Sequence, residues 1–222
     1  MFIAVRGTDA PAGSGEVHGG RVWTNGGTGD QIAPLKAALV KSYLPLYFES
    51  LNYPAKGLLD YPNSFNAGSL TLRNELNYLS TACGSTLPSV VLPGHSQGAD
   101  VITSALAGAT SRARAMVRAV VLYGDPAFKP NHPFNAVGDG KGEGVLARPA
   151  GVWSVLDAFR IWGGPQVGTA QTWVYKIRSY CKTGDIFCQS GVGSNALAIH
   201  NSYTSATSDA TSWITYMLTS AE

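Results

Sequence analysis

Gly94-His95-Ser96-Gln97-Gly98 is a Gly-x-Ser-x-Gly pentapeptide. A β-branched apolar run, Val90-Val91-Leu92, precedes it, and an Ala/Leu-bearing stretch suited to a helix follows. Strand, sharp turn and helix in that order put the central serine on a strained backbone at a helix N-terminus. Glycine at both ends lets strand and helix pass closely, since no Cβ intervenes. At such a terminus the helix dipole and free amides favour developing negative charge, as attack of a hydroxyl on a carbonyl requires. The alternative is an ordinary strand-to-helix turn. Partners for the serine, in a workable order, decide between the two.

A serine nucleophile needs a base and a group that orients the base. The histidines are His18, His95, His132 and His200. The order serine, acid, histidine is that of α/β-hydrolases, and only His132 and His200 follow Ser96. His132 lies in an Asn-His-Pro-Phe loop and reads as a surface histidine. His200 follows the last expected strand and just precedes the last helix, where a base belongs. His95 adjoins the nucleophile, but the elbow turns successive side chains apart, so it reads as a packing neighbour. His18, in a Gly-rich stretch, reads as a surface residue or part of the cleft's edge.

For the acid, Asp125, Asp139, Glu143, Asp157 and Asp185 qualify by order. Asp185 is favoured, because Cys181 and Cys188 enclose it. A disulfide across that six-residue loop is expected to contribute roughly 2.5 kcal/mol and would mount a carboxylate rigidly. Asp125, in Gly-Asp-Pro after a strand, is second, with turn capping as its plainer role. One oxyanion donor is expected from the amide of Gln97. The other is expected from Thr8, in the Gly7-Thr8 loop after the first strand, where ordinary turn hydrogen bonding is the plainer role.

The elements that must position these groups follow from periodicity. Strands are expected at residues 2–5, 46–51, 90–93, 119–123 and 173–180. Helices are expected from an Asp30 cap to about residue 41, from Ser64 with Phe65, Leu72, Leu76 and Leu79 on one face, from Ser96 to about residue 107 with Gly108 stopping it, and over 202–218. Residues 10–29 read as Gly-rich loop. Arg112, Arg114 and Arg118 read as a solvated stretch. The alternation predicts an α/β fold: a three-layer α/β/α sandwich on a mostly parallel five-stranded sheet, with the site at the carboxyl ends of the strands. Residues 125–172 form a long connection in which 152–162 is a candidate short helix.

With 222 residues the chain suits a single domain, 1–222. Charged residues are 14% of the chain against about 25% ordinarily, which suits a secreted protein or one working on an uncharged surface. A net charge of +2 with sparse arginines argues against nucleic acid as a partner. No apolar run reaches the ~18 residues of a membrane span. No C-x-x-C or His/Cys cluster marks a zinc site. Cys83 is left over and is expected to be a buried thiol. Met1 runs straight into Phe2-Ile3-Ala4-Val5, which reads as a strand and not a signal peptide.

Several motifs together resemble the cutinase family, which includes the acetylxylan esterases. Ala4-Val5-Arg6-Gly7-Thr8 is similar to its opening strand and oxyanion loop. Leu51-Asn52-Tyr53-Pro54-Ala55 resembles the Asn-Tyr-Pro-Ala turn of the acetylxylan esterase branch. Gly94 to Gly98 resembles the nucleophile motif, with His95 where tyrosine is usual. Leu122-Tyr123-Gly124-Asp125-Pro126 and Arg148-Pro149-Ala150-Gly151 resemble later landmarks. Arg178-Ser179-Tyr180-Cys181-Lys182-Thr183-Gly184-Asp185 resembles the clamped acid loop, and His200 to Tyr203 the base region.

The resemblance implies a compact α/β-hydrolase-type serine esterase with catalytic Ser96, Asp185 and His200, oxyanion donors Thr8 and Gln97, and neither metal nor cofactor. It further implies a monomer expected to work on an ester at a polymer, cell-wall or lipid surface, outside the cell. Acetylxylan esterase, or a phage lysin B-type mycolyl-arabinogalactan esterase, is the alternative. A non-catalytic surface-binding module is a remote one. Met1 stands where relatives place the partner of Cys83, so that thiol is expected to be free. The missing partner and leader fit a truncated or phage-encoded form. Residues 152–172, longer than in compact relatives, are expected to form either an apolar flap beside Ser96 or a helix covering the sheet edge.

Overall fold

Strands that alternate between two apolar faces organise the molecule, a computed structural model describing residues 1–18, 21–136, 140–162 and 173–219. Phe2 and Ala4 of β1 (Phe2–Ala4) face one side, and Ile3 and the following Val5 face the other. β5 (Val90–His95) and β6 (Val117–Tyr123) repeat this split, Val91, Ala119, Val121 and Tyr123 against Val90, Leu92, Val120 and Leu122. A strand buried on both faces reads as a continuous apolar run, and this is the signature of a covered parallel sheet. With β4 (Phe48–Ser50) and β9 (Ile177–Tyr180) these strands form a five-stranded sheet in the order β4-β1-β5-β6-β9, parallel at every pairing.

Helices cover both faces. α1 (Ala33–Lys41) and α7 (Thr207–Thr219) bury Leu35, Leu39, Ala210, Ile214 and Met217 on one side. α2 (Tyr61–Ala82) and α3 (Gln97–Gly108) bury Leu72, Leu76, Leu79, Ile102 and Leu106 on the other. Each such leucine contributes about 2 kcal/mol of burial. The chain runs from β1 to β4 on one side and reaches β5 on the other. The β1/β5 crevice is therefore a switch point, where the carboxyl ends of parallel strands open a binding site. Thr8 follows β1 and Ser96 follows β5.

Local details depart from the sequence-based expectations. Residues 14–25 are not all loop: β2 (Ser14–His18) and β3 (Arg21–Asn25) pair antiparallel. Asp30 does not cap α1; Ile32 holds that position and Pro34 lies in the first turn. α2 begins at Tyr61, three residues before Ser64, again with a proline in its first turn. Gly108 ends α3 from within. The arginine stretch carries α4 (Ser111–Met116), capped by the Thr110 hydroxyl, which accepts from Ala113 N–H at 3.2 Å.

The fifth strand divides. β8 (Trp173–Tyr175) pairs with β7 (Arg160–Trp162) in a separate ribbon, and only β9 joins the sheet. The expected helix at 152–162 is α5 (Ala150–Asp157), which buries Leu156 against the α3 face and then turns into β7. α5 packs on α3, and no described side chain of 150–161 lines the cleft described below. Residues 163–172, the rest of the expected flap, lie outside the described residues. The last helix begins at Thr207, after one tight turn at Tyr203–Ala206.

Candidate active site

Ser96 holds φ 54° and ψ −123°, a conformation that L-residues rarely adopt. Its hydroxyl lies at the N-terminus of α3, where backbone N–H groups have no intrahelical acceptor. The crossing explains the flanking glycines. A Cβ on Gly98 would lie 2.0 Å from the Val5 carbonyl oxygen, and one on Gly94 would lie 2.7 Å from the Gly98 carbonyl. Either would push the strand and helix apart.

A cleft of about 510 Å³ opens above the serine. Thr8, Asp9, Gly57, Tyr61, His95 and Asn201 line one part of it, and Pro126, Val145, Leu146, Phe187 and Leu197 form an apolar wall. Ser96 and His200 both face it. His200 ends α6 (Ala196–His200) and is buried. Its Nδ1 lies 2.9 and 3.0 Å from the two Asp185 carboxylate oxygens. Its Nε2 is buried and has no hydrogen-bond partner among the described residues.

Asp185 is fully buried in the loop closed by the Cys181–Cys188 disulfide. Besides Nδ1 it accepts from Phe187 N–H at 2.7 Å, Cys188 N–H at 3.0 Å and the Tyr203 hydroxyl at 2.7 Å. Burial pushes its carboxyl up, but the bonds from His200, Tyr203 and Cys188 outweigh this and hold it below the ordinary carboxylate value. An ionised Asp185 fixes the His200 tautomer with its proton on Nδ1.

Asp125 stands elsewhere. It accepts from Ala127 N–H at 2.9 Å and pairs with Arg148 at 2.7 Å, so it is a turn cap and an ion-pair partner. Glu143 is exposed, Asp157 pairs with His132, and Asp139 lies outside the described residues. His132 is not a surface histidine. Its ring packs with Phe134, Trp153 and Tyr175, and its Nε2 meets Asp157 at 2.9 Å. The His18 side chain lies outside the described residues. Cys83 is free, but exposed and not buried.

His95 packs against His200. Its Nε2 lies 2.9 Å from the His200 carbonyl oxygen, so Nε2 carries the proton, and the two rings stand 4.7 Å apart. Burial and the neighbouring His200 push its pKa down to about 4, leaving it neutral. Tyr203, also fully buried, is the group that sequence reasoning missed on Asp185; it further accepts from Lys182 N–H at 3.0 Å. Arg6 was likewise missed. Its guanidinium donates to the carbonyls of Ala10, Leu51 and Tyr53, and the Tyr53 hydroxyl donates back to the Arg6 carbonyl at 2.5 Å. Those bonds tie the loop carrying Thr8 to the Asn-Tyr-Pro-Ala turn.

Comparison with known proteins places the chain. The Cutinase family model matches residues 3–218. Cutinase 11 of Verticillium dahliae is 28% identical over 175 residues, which cover 70% of this chain and 52% of that protein. Acetylxylan esterase 2 of Talaromyces purpureogenus is 30% identical over 175 residues, 70% of this chain and 65% of that protein. The chain thus spans about half to two thirds of the length of these relatives. A solved acetylxylan esterase superposes with a TM-score of 0.71 at 25% identity, over 98% of this chain and 97% of that one.

Proposed function

The chain belongs to the cutinase family, and from that premise we propose that it hydrolyses carboxylic esters through Ser96, His200 and Asp185. The observation that carries the reading is a strained serine facing the same cleft as a histidine whose far nitrogen is held by a buried carboxylate.

The Ser96 oxygen adds to the ester carbonyl carbon while its proton passes to His200 Nε2. Asp185 stays ionised and accepts the Nδ1–H throughout. The carbonyl oxygen takes up the electron pair and is held by the amides of Gln97 and Thr8, each donor worth roughly 3–4 kcal/mol of barrier. The bond to the alcohol breaks, and the alcohol leaves with the proton from Nε2. Water then adds to the acyl-enzyme, gives its proton to Nε2, and the acid departs as Ser96 recovers its hydrogen.

The apolar wall of Pro126, Val145, Leu146, Phe187 and Leu197 favours an acyl chain longer than acetyl. A chain with 14% charged residues suits an uncharged polymer or lipid surface outside the cell, worked on by a monomeric single domain. No helix among the described residues is long and apolar enough to cross a membrane. Acetylxylan esterase activity is the second reading, favoured by the 30% identity to such an enzyme. Rates on short-acyl, long-acyl and acetylxylan substrates separate the two.

Ser96→Ala should lower p-nitrophenyl butyrate turnover by about 10⁴-fold or more at an unchanged melting temperature. Turnover that survives in the folded variant sinks the assignment.

A further inference from the structure

Gln97 is fully buried, and its side chain is committed to one short segment of chain. Its Oε1 accepts from the Ser64 hydroxyl at 2.9 Å, and its Nε2 donates to the Lys56 carbonyl at 2.9 Å. The Ser64 hydroxyl accepts in turn from Lys56 N–H at 2.9 Å. Both backbone groups of Lys56 are therefore captured, one by Gln97 directly and one through Ser64.

The next residue, Gly57, lies against Thr8. A Cβ there would fall 2.6 Å from Thr8 Cγ2, inside any van der Waals contact. Glycine at this position is required by space and not by a left-handed backbone. The residue after Thr8 is tied to the same stretch of chain, since Asp9 N–H donates to the Ala55 carbonyl at 2.7 Å.

We propose that residues 56–57 form a strap that positions Thr8 against the nucleophile helix, and that the Gln97 carboxamide and the Ser64 hydroxyl are the positioning groups that hold it. The inference rests on the reading in which the amides of Thr8 and Gln97 bind the oxyanion. Gln97 then sets both donors. Its amide is one of them, and its side chain places the other through Lys56 and Gly57. The arrangement ties together two donors that come from different strands, β1 and β5. Such a coupling matters because a donor displaced by about 1 Å can cost up to ~100-fold in rate.

The experiment compares p-nitrophenyl butyrate with its thiono counterpart, in which sulfur replaces the carbonyl oxygen. Sulfur is larger and a poorer acceptor, so aligned oxyanion donors discriminate against it. Gly57→Ala should lower kcat on the oxygen ester about tenfold with KM within about twofold, and should narrow the oxygen-to-thiono ratio. Adding Thr8→Ser removes the Cγ2 that the new methyl meets, so the double variant should recover most of the loss. Ser64→Ala should lower kcat about fivefold and narrow the same ratio, by freeing Lys56 N–H.

The proposal is overturned if Ser64→Ala keeps the wild-type kcat and ratio, or if the Gly57→Ala loss is not relieved by Thr8→Ser. Should Gly57→Ala not fold, Ser64→Ala decides by the same two readouts. Failure of the underlying reading shows separately, in the unmutated protein: a wild type that cleaves the thiono ester as fast as the oxygen ester has no aligned oxyanion donors.

Discussion

Asp185 and Asp100 are both buried carboxylates of the candidate site, and they are pushed in opposite directions. Asp185 collects four donors, from His200, Tyr203 and two backbone amides, and is held below the ordinary carboxylate value. Asp100, in the first turn of α3, accepts from the Tyr61 hydroxyl at 3.2 Å and sees Arg148 only at 3.9 Å. Arg148 sits 2.7 Å from the competing Asp125. Burial and the negative Asp125 push Asp100 up to about 6. Burial is common to both, so it does not decide the charge state; the number and closeness of donors does. The carboxylate assigned to catalysis is the one the fold has supplied with hydrogen bonds. The other pins Tyr61, a wall of the cleft, at some expense in stability.

The largest effect expected from this contrast is that of Asp185→Asn. An amide cannot accept from Nδ1–H, Phe187 N–H, Cys188 N–H and the Tyr203 hydroxyl together, because one of its two heads donates. His200 would be free to take the wrong tautomer. Hydrolysis of p-nitrophenyl butyrate should fall by about 10⁴-fold in kcat. Should the folded variant keep more than about a tenth of wild-type kcat, the catalytic half of the comparison fails.

What was legible beforehand divides along the same line. Ser96, Asp185 and His200 were named from a pentapeptide, a Cys-bounded loop and chain order, all of them local or ordinal signals. The sheet was legible because its strands are continuous apolar runs. The contacts that tune the site were not legible, because they join residues far apart in sequence. Ser64 meets Gln97 across 33 positions, and Arg6 meets Tyr53 across 47. His132 read as exposed because Asn131 and Pro133 flank it; its aromatic neighbours come from positions 134, 153 and 175. The β2–β3 hairpin was hidden by glycines that weaken the period-two signal.

An intermediate effect is expected at Tyr203, whose hydroxyl is, among the described residues, the one side-chain donor on Asp185 other than His200. Tyr203→Phe keeps the ring stacked on Tyr123 at 5.6 Å and removes the bond to Asp185, together with the acceptor of Lys182 N–H at 3.0 Å and the 3.3 Å contact with Cys188 Sγ. The carboxyl then sits less far below its unfolded value. A depressed carboxyl contributes stability that is present above its unfolded pKa, about 3.9, and lost as pH falls through the folded one. The variant should lose about 1–2 kcal/mol at pH 7, and the deficit should shrink as the solution is acidified. Turnover should fall about fivefold in kcat with KM nearly constant, since the bond orients His200 through Asp185 and touches no substrate. A pH-independent stability loss would show that Tyr203 acts through packing and its bond from Lys182 N–H, and not on the Asp185 charge.

Asp100→Asn should give the smallest effect, and one of opposite sign. A carboxyl whose folded value is raised to about 6 binds its proton more tightly when folded than when unfolded. Its contribution is full below about pH 4 and is lost as pH rises toward 6, where the buried group must ionise beside Asp125. Asparagine never ionises and can still accept from the Tyr61 hydroxyl. It gives up only the long Arg148 contact. At pH 8 the variant should therefore be more stable by about 1 kcal/mol, some 2–4 °C in Tm for a chain of this size. The advantage should vanish near pH 4, and kcat should stay within about twofold. Melting curves at the two pH values measure it directly. A destabilised Asp100→Asn at pH 8 would mean that the Arg148 attraction outweighs burial, and the two carboxylates would then be alike in kind and differ only in degree.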